Sequence, residues 1–416
     1  MVLAMARTRP TRADGVRRRP KDRRAQIARA SAEAFSVLGY YGVSMETIAT
    51  RVGISAAALY RHYSSKYELF RDAVLNLGQQ LVDCTAFADD ATGDPELTVR
   101  RLVSALIDTA MANRESGGLY RWEGRYLRGD DQATLIAQMR TVHRRIQRPL
   151  MAIRPELTSR QGWTLSTSGL SVIGSIVDHR AKLPAIQVRA LLADLADAVL
   201  AADVPDVTGS VAEAGPPIAT ATETSKYEAL LNESMRLFNL KGYRDTRTDD
   251  IATVVGMPAS GIYRYFSAKS DILAAAFRRA ADRLSAELSA IVGTVPDRED
   301  ALTAVIDAYV TRSFGQPELD YVYYTERLNM TPADQNILRN LQRATVELWV
   351  ELVVAVRPDW TPGQARFAVH AAMSLVIDLG RLMRYENSAQ AREVVERLVD
   401  LTLLGRYRLR AALPAK

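Results

Sequence analysis

The stretch FSVLGYYGVSMETIATRVGISAAALYRHYSSK, at residues 35–66, occurs a second time as FNLKGYRDTRTDDIATVVGMPASGIYRYFSAK at residues 238–269. The two stretches are identical at 13 of 32 positions without a gap. The same shift of 203 residues pairs Glu123 with Glu326 and still holds at Asp400. Repeat units of solenoid proteins are much shorter than this. The shift therefore indicates that a whole domain is duplicated within one chain.

Apolar residues recur at helical spacing in both copies, as at Ile27 and Phe35, and no convincing strand-like alternation occurs. In each copy, two short helices flank a glycine turn. In the first copy, Ser44 is expected to cap METIATRV, Gly53 suits a turn with positive φ, and Ser55 is expected to cap AAALYRHY. The expected fold class is all-α, with two tandem bundles of roughly nine helices, each beginning with a three-helix head that contains a helix-turn-helix.

Positive charge is concentrated at the N-terminus. Residues 1–29 carry a net charge of +8, whereas the chain of 416 residues carries +6, so residues 30–416 carry −2. Such an arm is typical of a nucleic-acid contact, and a solvated disordered tail is the alternative. The single cysteine, Cys84, excludes an internal disulfide, and no apolar run is long enough to span a bilayer. We therefore expect a cytoplasmic protein with no membrane partner.

The basic arm, the glycine turn and the tyrosine-rich second helix together resemble the DNA-binding heads of TetR-type transcriptional repressors. The family signature, Ile-Ala before a Gly turn and then Leu/Ile-Tyr-x-x-Phe/Tyr-x-x-Lys, occurs in both copies. The two-copy layout, with VRRRPKDRR before the first helix, looks like the tandem TetR-type regulators of actinobacterial lipid-import operons. The resemblance implies a sequence-specific DNA-binding regulator of the repressor type, released by a small effector, with both heads on one double-stranded operator.

By this resemblance, Tyr60 and Tyr263 would hydrogen-bond phosphate oxygens, and Lys66 and Lys269 would contact phosphate at the start of the next helix. A core tyrosine is the alternative for Tyr60 and Tyr263. The other residues assigned to the DNA contact are Arg17, Arg18, Arg19, Arg23 and Arg24 near the N-terminus, Ser44, Thr47 and Thr248 in the first helices of the motifs, and Ala56, Ala57, Arg61, His62, Pro258, Ala259, Ser260, Arg264 and Tyr265 in the second helices.

The second head departs from the first at two positions. Pro258 replaces Ser55, which is tolerated because proline fits the first turn of a helix. Arg247 stands where Ser44 caps the first head, which leaves open a cap shifted by one residue. The second helices also differ in sequence, so the two heads should prefer different half-sites.

The family's remaining helices enclose a small-molecule pocket, and its last two helices pair subunits in a four-helix bundle. By resemblance, the expected effector is small and hydrophobic, such as an acyl-CoA or a sterol derivative. The candidate pocket residues are Met111, Trp122, Glu123 and Tyr126 in the first copy and Tyr323, Tyr324, Glu326 and Trp349 in the second. Each of them fits an ordinary bundle core equally well.

Helices at about 160–180 and 188–202 should pack on helices at about 363–385 and 391–404, making one chain an intramolecular pseudo-dimer. A homodimer of tandem chains is the rival assembly. The expected segments are a basic disordered arm at 1–20, a first DNA-binding domain at 21–84, a first ligand-binding and dimerisation domain at 85–202, a linker at 203–225, a second DNA-binding domain at 226–290, and a second ligand-binding and dimerisation domain at 291–410.

Other classes of function find little support. The four histidines are scattered, no Cys/His spacing suits a metal, and no nucleophile motif occurs, so neither an enzyme nor a cofactor is expected. The remaining alternative is an architectural DNA-binding protein without ligand control, which would need no pocket.

Deleting residues 1–20 should flatten the salt dependence of operator binding, because fewer counterions are released. The slope of log affinity against log salt should fall by about 0.9 for each phosphate that the arm neutralises in the intact protein. Titrations of the operator at several salt concentrations measure the slope. The triple change Arg17→Gln, Arg18→Gln and Arg19→Gln separates charge from length. An unchanged slope in both variants would contradict the role of the arm.

Overall fold

The computed structural model describes residues 20–206 and 226–407, apart from the side chains at 20–22, 320 and 321. Residues 1–19, 207–225 and 408–416 lie outside this description. The predicted basic arm, with Arg17, Arg18 and Arg19, and most of the predicted linker therefore lie outside the described residues.

The fold class is all-α, as predicted, and the described residues contain no strand. The helices of the first half are α1 Pro20–Gly42, α2 Met45–Val52, α3 Ala56–Tyr60, α4 Lys66–Cys84, α5 Pro95–Ala112, α6 Gly129–Ile153, α7 Ser159–Gly174 and α8 Ala185–Leu200. Those of the second half are α9 Lys226–Lys241, α10 Thr248–Val255, α11 Ala259–Ile262, α12 Lys269–Thr294, α13 Arg298–Gly315, α14 Pro317–Glu326, α15 Pro332–Val356, α16 Pro362–Leu382 and α17 Ala389–Leu404.

Short helical turns connect some of these helices. Single 3₁₀ turns lie at Ala86–Ala88, Gly124–Tyr126, Ser175–Val177 and Arg327–Asn329. A π turn at Leu119–Glu123 stands where the second half has α14. π turns are frequent at functional sites, and the two halves differ in backbone in this region. In the described parts of the chain, no helix is long and apolar enough to cross a bilayer.

Local capping explains where the helices of the first head begin and end. Ser44 caps α2 by accepting the Thr47 N–H at 3.1 Å, which confirms the predicted N-cap. Ser55 caps α3 in the same way. Gly53 ends α2 with φ +71° and Gly256 ends α10 with φ +70°, so both turns occupy the left-handed region that favours glycine.

Each head has its own apolar core. In the first head, Phe35 of α1 meets Phe70 of α4 edge-to-face at 5.2 Å, and Ile48 and Leu59 pack beside them. In the second head, Phe238, Ile251 and Ile262 occupy corresponding positions among further buried residues. The two heads are therefore separate packing units.

The helices that follow the heads behave differently, because the two halves share one apolar core. Buried residues of α5 and α8, such as Leu106 and Leu192, belong to the same cluster as Trp349 and Phe367 of the second half. We call helices α5–α8 the first body and helices α13–α17 the second body, each with its connecting turns. Since their core is continuous, the two bodies form one packed unit that carries both heads.

The bodies meet through α7 and α16, with α8 beside α17. These are the helices that the sequence indicated for this contact. The facing surfaces carry small buried residues, including Ser168 and Ser171 on α7 and Ala368 and Ala372 on α16. Small side chains allow helix axes to approach closely. The hydroxyl of Ser168 is satisfied within its own helix by the Thr164 carbonyl at 2.8 Å.

A buried ion cluster also joins the bodies. The Arg121 guanidinium lies 2.7 Å from a carboxylate oxygen of Asp378 in the second half and 3.1 Å from one of Asp178 in the first. Trp122 donates its indole N–H to the other Asp178 oxygen at 2.7 Å. Burial raises the pKa of Asp178, and the Arg121 charge opposes that shift. One guanidinium thus balances carboxylates from both halves.

Replacing Arg121 by Met should destabilise the protein by about 3–5 kcal/mol, because it leaves two buried carboxylates without their cation. The midpoint of urea unfolding, followed by circular dichroism, measures the change in stability. The matched control is Arg189→Met, which removes an ion pair with Asp108 whose side chains are 50% and 52% exposed. An exposed pair contributes only about 0–1 kcal/mol. Equal costs for the two substitutions would show that the buried cluster does not stabilise the contact between the bodies.

Candidate DNA interface and effector cavity

The second helix of each helix-turn-helix presents its polar residues to solvent. Tyr60 is 50% exposed and Tyr263 is 58% exposed, so neither is a core tyrosine. The core position three residues later is filled instead by Tyr63 and Phe266. Among the side chains assigned to base readout, Ala57 and Ser260 are exposed on these helices. The helices end earlier than the sequence predicted, so Arg61, His62, Arg264 and Tyr265 are exposed in the turns that follow them. Ala56 and Ala259 are half-buried. The exposed hydroxyls and guanidiniums can reach a DNA duplex without unfolding the heads.

Hydroxyl groups lie beside these helices at the predicted phosphate positions. Ser44 Oγ lies 3.0 Å from Thr47 Oγ1 in the first head. In the second head, Thr248 Oγ1 lies 3.5 Å from the Tyr263 hydroxyl. A pair of neighbouring hydroxyls suits a phosphate oxygen, which accepts hydrogen bonds from such donors.

The two lysines of the family signature point inward in this conformation. Lys269 donates to the Tyr243 carbonyl at 2.6 Å and to the Thr246 carbonyl at 2.7 Å. Lys66 lies over the Tyr40 ring, with its Nζ 4.6 Å from the centroid. Burial lowers the pKa of both lysines, and Arg244 lowers it further. Both ammonium groups therefore tie the end of the first helix to the fourth, and a phosphate contact would require them to turn outward.

Arg23 and Arg24 lie within α1 rather than in an extended arm. Arg24 pairs with Asp72 of α4 at 3.1 Å and lies over the Tyr63 ring at 5.3 Å. Its side chain remains 60% exposed. Arg24 thus braces the first head while keeping its charge on the surface.

In the second head, Arg247 occupies the N-cap position of α10, but its side chain makes no capping hydrogen bond. The side chain of Asp250, the third residue of the helix, accepts the Arg247 N–H at 2.9 Å. The cap has not shifted to Thr246, whose buried hydroxyl donates to the Gly242 carbonyl at 2.8 Å. Pro258 occupies the N-cap position of α11. The geometry of the turn is preserved although its capping chemistry has changed.

The two heads touch each other at equivalent positions. The Arg244 guanidinium lies over the Tyr41 ring, 3.6 Å from its centroid, and these residues are related by the shift of 203. If the two heads were identical, the same residue type would stand on both sides of this contact. Here it holds a cation over an aromatic face, a pairing that is attractive.

In each half, a buried glutamate of the body accepts a backbone hydrogen bond from the head, beside the apolar contacts that also join the two. Glu123 accepts the Tyr40 N–H at 2.9 Å, and Glu326 accepts the Tyr243 N–H at 3.3 Å. Each tyrosine follows a glycine with positive φ, at +71° for Gly39 and at +86° for the equivalent glycine. Burial raises the pKa of both carboxyl groups, and the tyrosine N–H opposes the shift in each case. The same carboxylate therefore holds the end of the first helix in both halves.

The second glutamate also binds the opposite body. Arg125 of the first half donates to Glu326 at 2.9 Å and to the Thr325 carbonyl. Asn329 donates to the other Glu326 oxygen at 2.7 Å. Tyr126 stacks on Tyr40 with centroids 5.8 Å apart. The first body therefore contacts the joint of each head.

A cavity of about 590 Å³ lies between the two halves. Four of the predicted pocket residues line it: Trp122, Glu123, Tyr323 and Tyr324. The other four lie elsewhere. Met111 packs against the shared core, Trp349 is fully buried in that core, and Tyr126 and Glu326 belong to the joints.

Sequence reasoning missed the charged wall of this cavity. Arg327, Arg339, Arg343 and Arg366 line it on the side of the second half. The spacing of Arg339 and Arg343, one helical turn apart, was the available signal. A solvated helix face shows the same spacing, and the sequence does not indicate that α15 lines a cavity shared with the other half.

Two histidines from opposite halves form part of the same wall. The rings of His179 and His370 stack with centroids 4.2 Å apart and planes 7° from parallel. Burial lowers the pKa of His370 to about 4 and also lowers the pKa of His179. Both rings are therefore neutral near pH 7 and contribute polar but uncharged surface.

Comparison with known proteins identifies the two heads. The family model described as bacterial regulatory proteins, tetR family, matches residues 27–73 and 230–276. The HTH-type transcriptional activator FasR of Mycolicibacterium smegmatis is 37% identical over 92 residues, which is 22% of this chain. The matched region spans 42% of that protein, so the chain covers less than half the length of this curated relative.

Three solved structures are among those that match parts of this chain. A TetR-family regulator from Bordetella parapertussis is 17% identical with a TM-score of 0.40, and covers 45% of this chain and 100% of its own. A TetR-like regulator from a Rhodococcus species is 23% identical with a TM-score of 0.38, over the same shares. The Bacillus subtilis regulator FadR, solved with stearoyl-CoA, is 14% identical with a TM-score of 0.37, over 44% and 100%.

The joint of the first head generates a test based on two glycines. A Cβ on Gly39 would lie 3.0 Å from Leu328 Cδ1 of the second half, whereas one on Gly242 meets nothing within 4 Å. Both changes to Ala should cost about 1–3 kcal/mol, because both force a side chain into positive φ. Only Gly39→Ala should couple to Leu328→Ala in a double-mutant cycle, by about 0.5–3 kcal/mol. Thermal unfolding measures the cycle, and additive effects for Gly39 would refute the contact.

Proposed function

We propose that this chain is a tandem TetR-family transcriptional regulator that places both heads on one operator and leaves the DNA when an effector enters the cavity between its halves. The observation that carries the proposal is the combination of two exposed recognition surfaces with one shared body. The cavity adjoins α1 of the first head, so an effector there can act on a head directly.

The DNA contact in this proposal depends on a few placed groups rather than on bulk charge. Tyr60 and Tyr263 supply exposed hydroxyls, and Arg61 and Arg264 supply exposed guanidiniums. Phosphate contacts position a protein on the duplex, whereas arginine can read guanine in the major groove. Because the second helices differ between the heads, the preferred operator is not a palindrome.

One chain acting as a pseudo-dimer is supported by the contacts of α7 with α16 and by the Tyr41–Arg244 contact between heads. The rival is a homodimer of tandem chains with four heads. Light scattering of the protein alone and on operator DNA separates them, because one chain has a mass of 46.0 kDa. A complex with two chains per operator would refute the pseudo-dimer.

In this proposal the regulator is a repressor that the effector releases from its operator. The relative that matches part of the chain is named an activator. A reporter under the chain's own operator reads the sign directly: repression requires higher expression when the gene is deleted. The architectural alternative needs no cavity, and nothing in the geometry favours it.

Removing one hydroxyl from each recognition surface tests whether both heads bind. Tyr60→Phe and Tyr263→Phe should each weaken operator binding about tenfold, the value of one hydrogen bond to a charged group. A mobility-shift titration measures the affinity. Tyr67→Phe is the matched control, because it removes a first-head hydroxyl that donates to Asp131 at 2.7 Å. An unchanged affinity in Tyr263→Phe would mean that the second head does not touch the operator.

A further inference from the structure

We propose that the cavity between the halves is a single site, one per chain, for an amphiphile with an apolar body and a head of more than one negative charge. The charged head would lie against Arg327, Arg339 and Arg343, and the bound molecule would act on the first head. The inference rests on the proposed function in one respect, namely that the cavity holds the effector.

One part of the cavity wall is apolar and aromatic. Trp122 and Tyr324 come from opposite halves and stack at 4.5 Å with planes 18° apart. Leu119, Leu338 and Val346 line the wall with them. Such a surface takes a hydrocarbon or ring system, because burying apolar area is the main source of its affinity.

The other part of the wall carries positive charge without matching carboxylates. Arg327, Arg339 and Arg343 make no ion pair with any carboxylate among the described residues. The carboxylates in the wall are already engaged. Glu347 pairs with Arg366 at 2.6 Å. Glu123 accepts a backbone N–H, and Asp178 accepts the Trp122 indole N–H and pairs with Arg121.

Three guanidiniums that make no direct ion pair select for ligand charge. Guanidinium pairs with phosphate oxygens through two parallel hydrogen bonds, which adds both energy and geometric specificity. A neutral sterol would leave all three unpaired, and a single carboxylate would engage only one or two. The wall therefore fits a phosphorylated head better than either.

In the described part of the first half, the residues that would form a matching site differ. The positions equivalent to Val346 and Arg366 hold His143 and Trp163, whose rings stack at 4.8 Å and take up the corresponding space. The position equivalent to Arg327 is Gly124, where even a Cβ would lie 2.7 Å from Leu135 Cδ2.

The charge of the wall is also missing there. Arg339 is replaced by Ile136, and only Arg343 keeps its charge, as Arg140. One ligand per chain follows from these differences, because the space and two of the three cations are absent from the other half.

The cavity adjoins the elements that hold the first head. Ser36 and Val37 of α1 line it, and so does Leu328, which lies against Gly39. Glu123 lines it too, while its carboxylate holds the Tyr40 N–H. A ligand that displaces Leu328 or Glu123 would therefore loosen the joint of the first head.

Calorimetric titration of the full chain with palmitoyl-CoA tests the site. Palmitate carries the same apolar chain with one charge, coenzyme A carries the head alone, and cholesterol is neutral. We expect one palmitoyl-CoA per chain, with palmitate and coenzyme A each at least about tenfold weaker. Two molecules per chain, or tighter binding of palmitate or cholesterol, would overturn the inference.

Substitutions assign the binding to this wall. The double change Arg339→Gln and Arg343→Gln should weaken palmitoyl-CoA at least about tenfold and palmitate by a smaller factor, because one carboxylate engages fewer guanidiniums. Arg140→Gln, at the position equivalent to Arg343, is the matched control and should have no effect. Val346→Trp should fill the cavity and abolish binding, with circular dichroism confirming the fold. Full binding in either the double variant or Val346→Trp would overturn the site.

Operator binding of the ligand-free chain, measured in parallel, separates this inference from the proposed function. Operator binding without any palmitoyl-CoA binding would overturn the inference and leave the DNA-binding role intact. Palmitoyl-CoA binding without any operator binding would overturn the proposed function and leave the site intact. At a palmitoyl-CoA concentration that saturates the variant, Leu328→Ala should release the operator less than the unchanged chain does, and normal release would overturn the route through the first head.

Discussion

A buried glutamate at the same place in each half holds the end of the head's first helix against the body, together with the apolar residues that head and body share in one core. A carboxylate away from water must be fully satisfied by donors, or its burial is costly. Glu123 takes the backbone N–H at the end of the first helix in its own head. Glu326 does the same in the second head and also takes a guanidinium from the opposite body. Because the bodies share one core, these two joints fix where the heads stand relative to each other.

The halves are copies, yet their contact is built from unlike residues. Tyr41 meets Arg244 at equivalent positions. Elsewhere along the interface, Arg121 of the first half meets Asp378 of the second, although the equivalent of Asp378 is Ser175. A dimer of identical chains must repeat each contact twice. A tandem chain is free of that requirement, so complementary charges and rings can accumulate on opposite sides. This complementarity favours pairing within the chain over pairing between chains.

The sequence predicted the parts of the fold that repeat locally. The glycine turns, the Ser44 cap and the helices of the body contact follow from periodicity, capping chemistry and the family resemblance. The cavity was only half predictable, because its two walls come from residues far apart in sequence. Trp122 and Trp349 look alike in the sequence, but one stacks across the interface and the other lies in the shared core. Which of them faces the cavity depends on how the bodies dock, and no local pattern encodes that.

The asymmetry between the halves also determines how one effector can act on the two heads. In a symmetric dimer, an effector site on one subunit has a twin, and both heads respond alike. In this chain, three positions that line the cavity in the second half, Val346, Arg366 and Arg327, hold the stacked His143 and Trp163 and the crowded Gly124 in the first. An effector can shift an equilibrium only by its difference in affinity for the two states. When that difference is exerted through Leu328 and Glu123, it falls on the first head, and the second head follows through the shared core and the Tyr41–Arg244 contact.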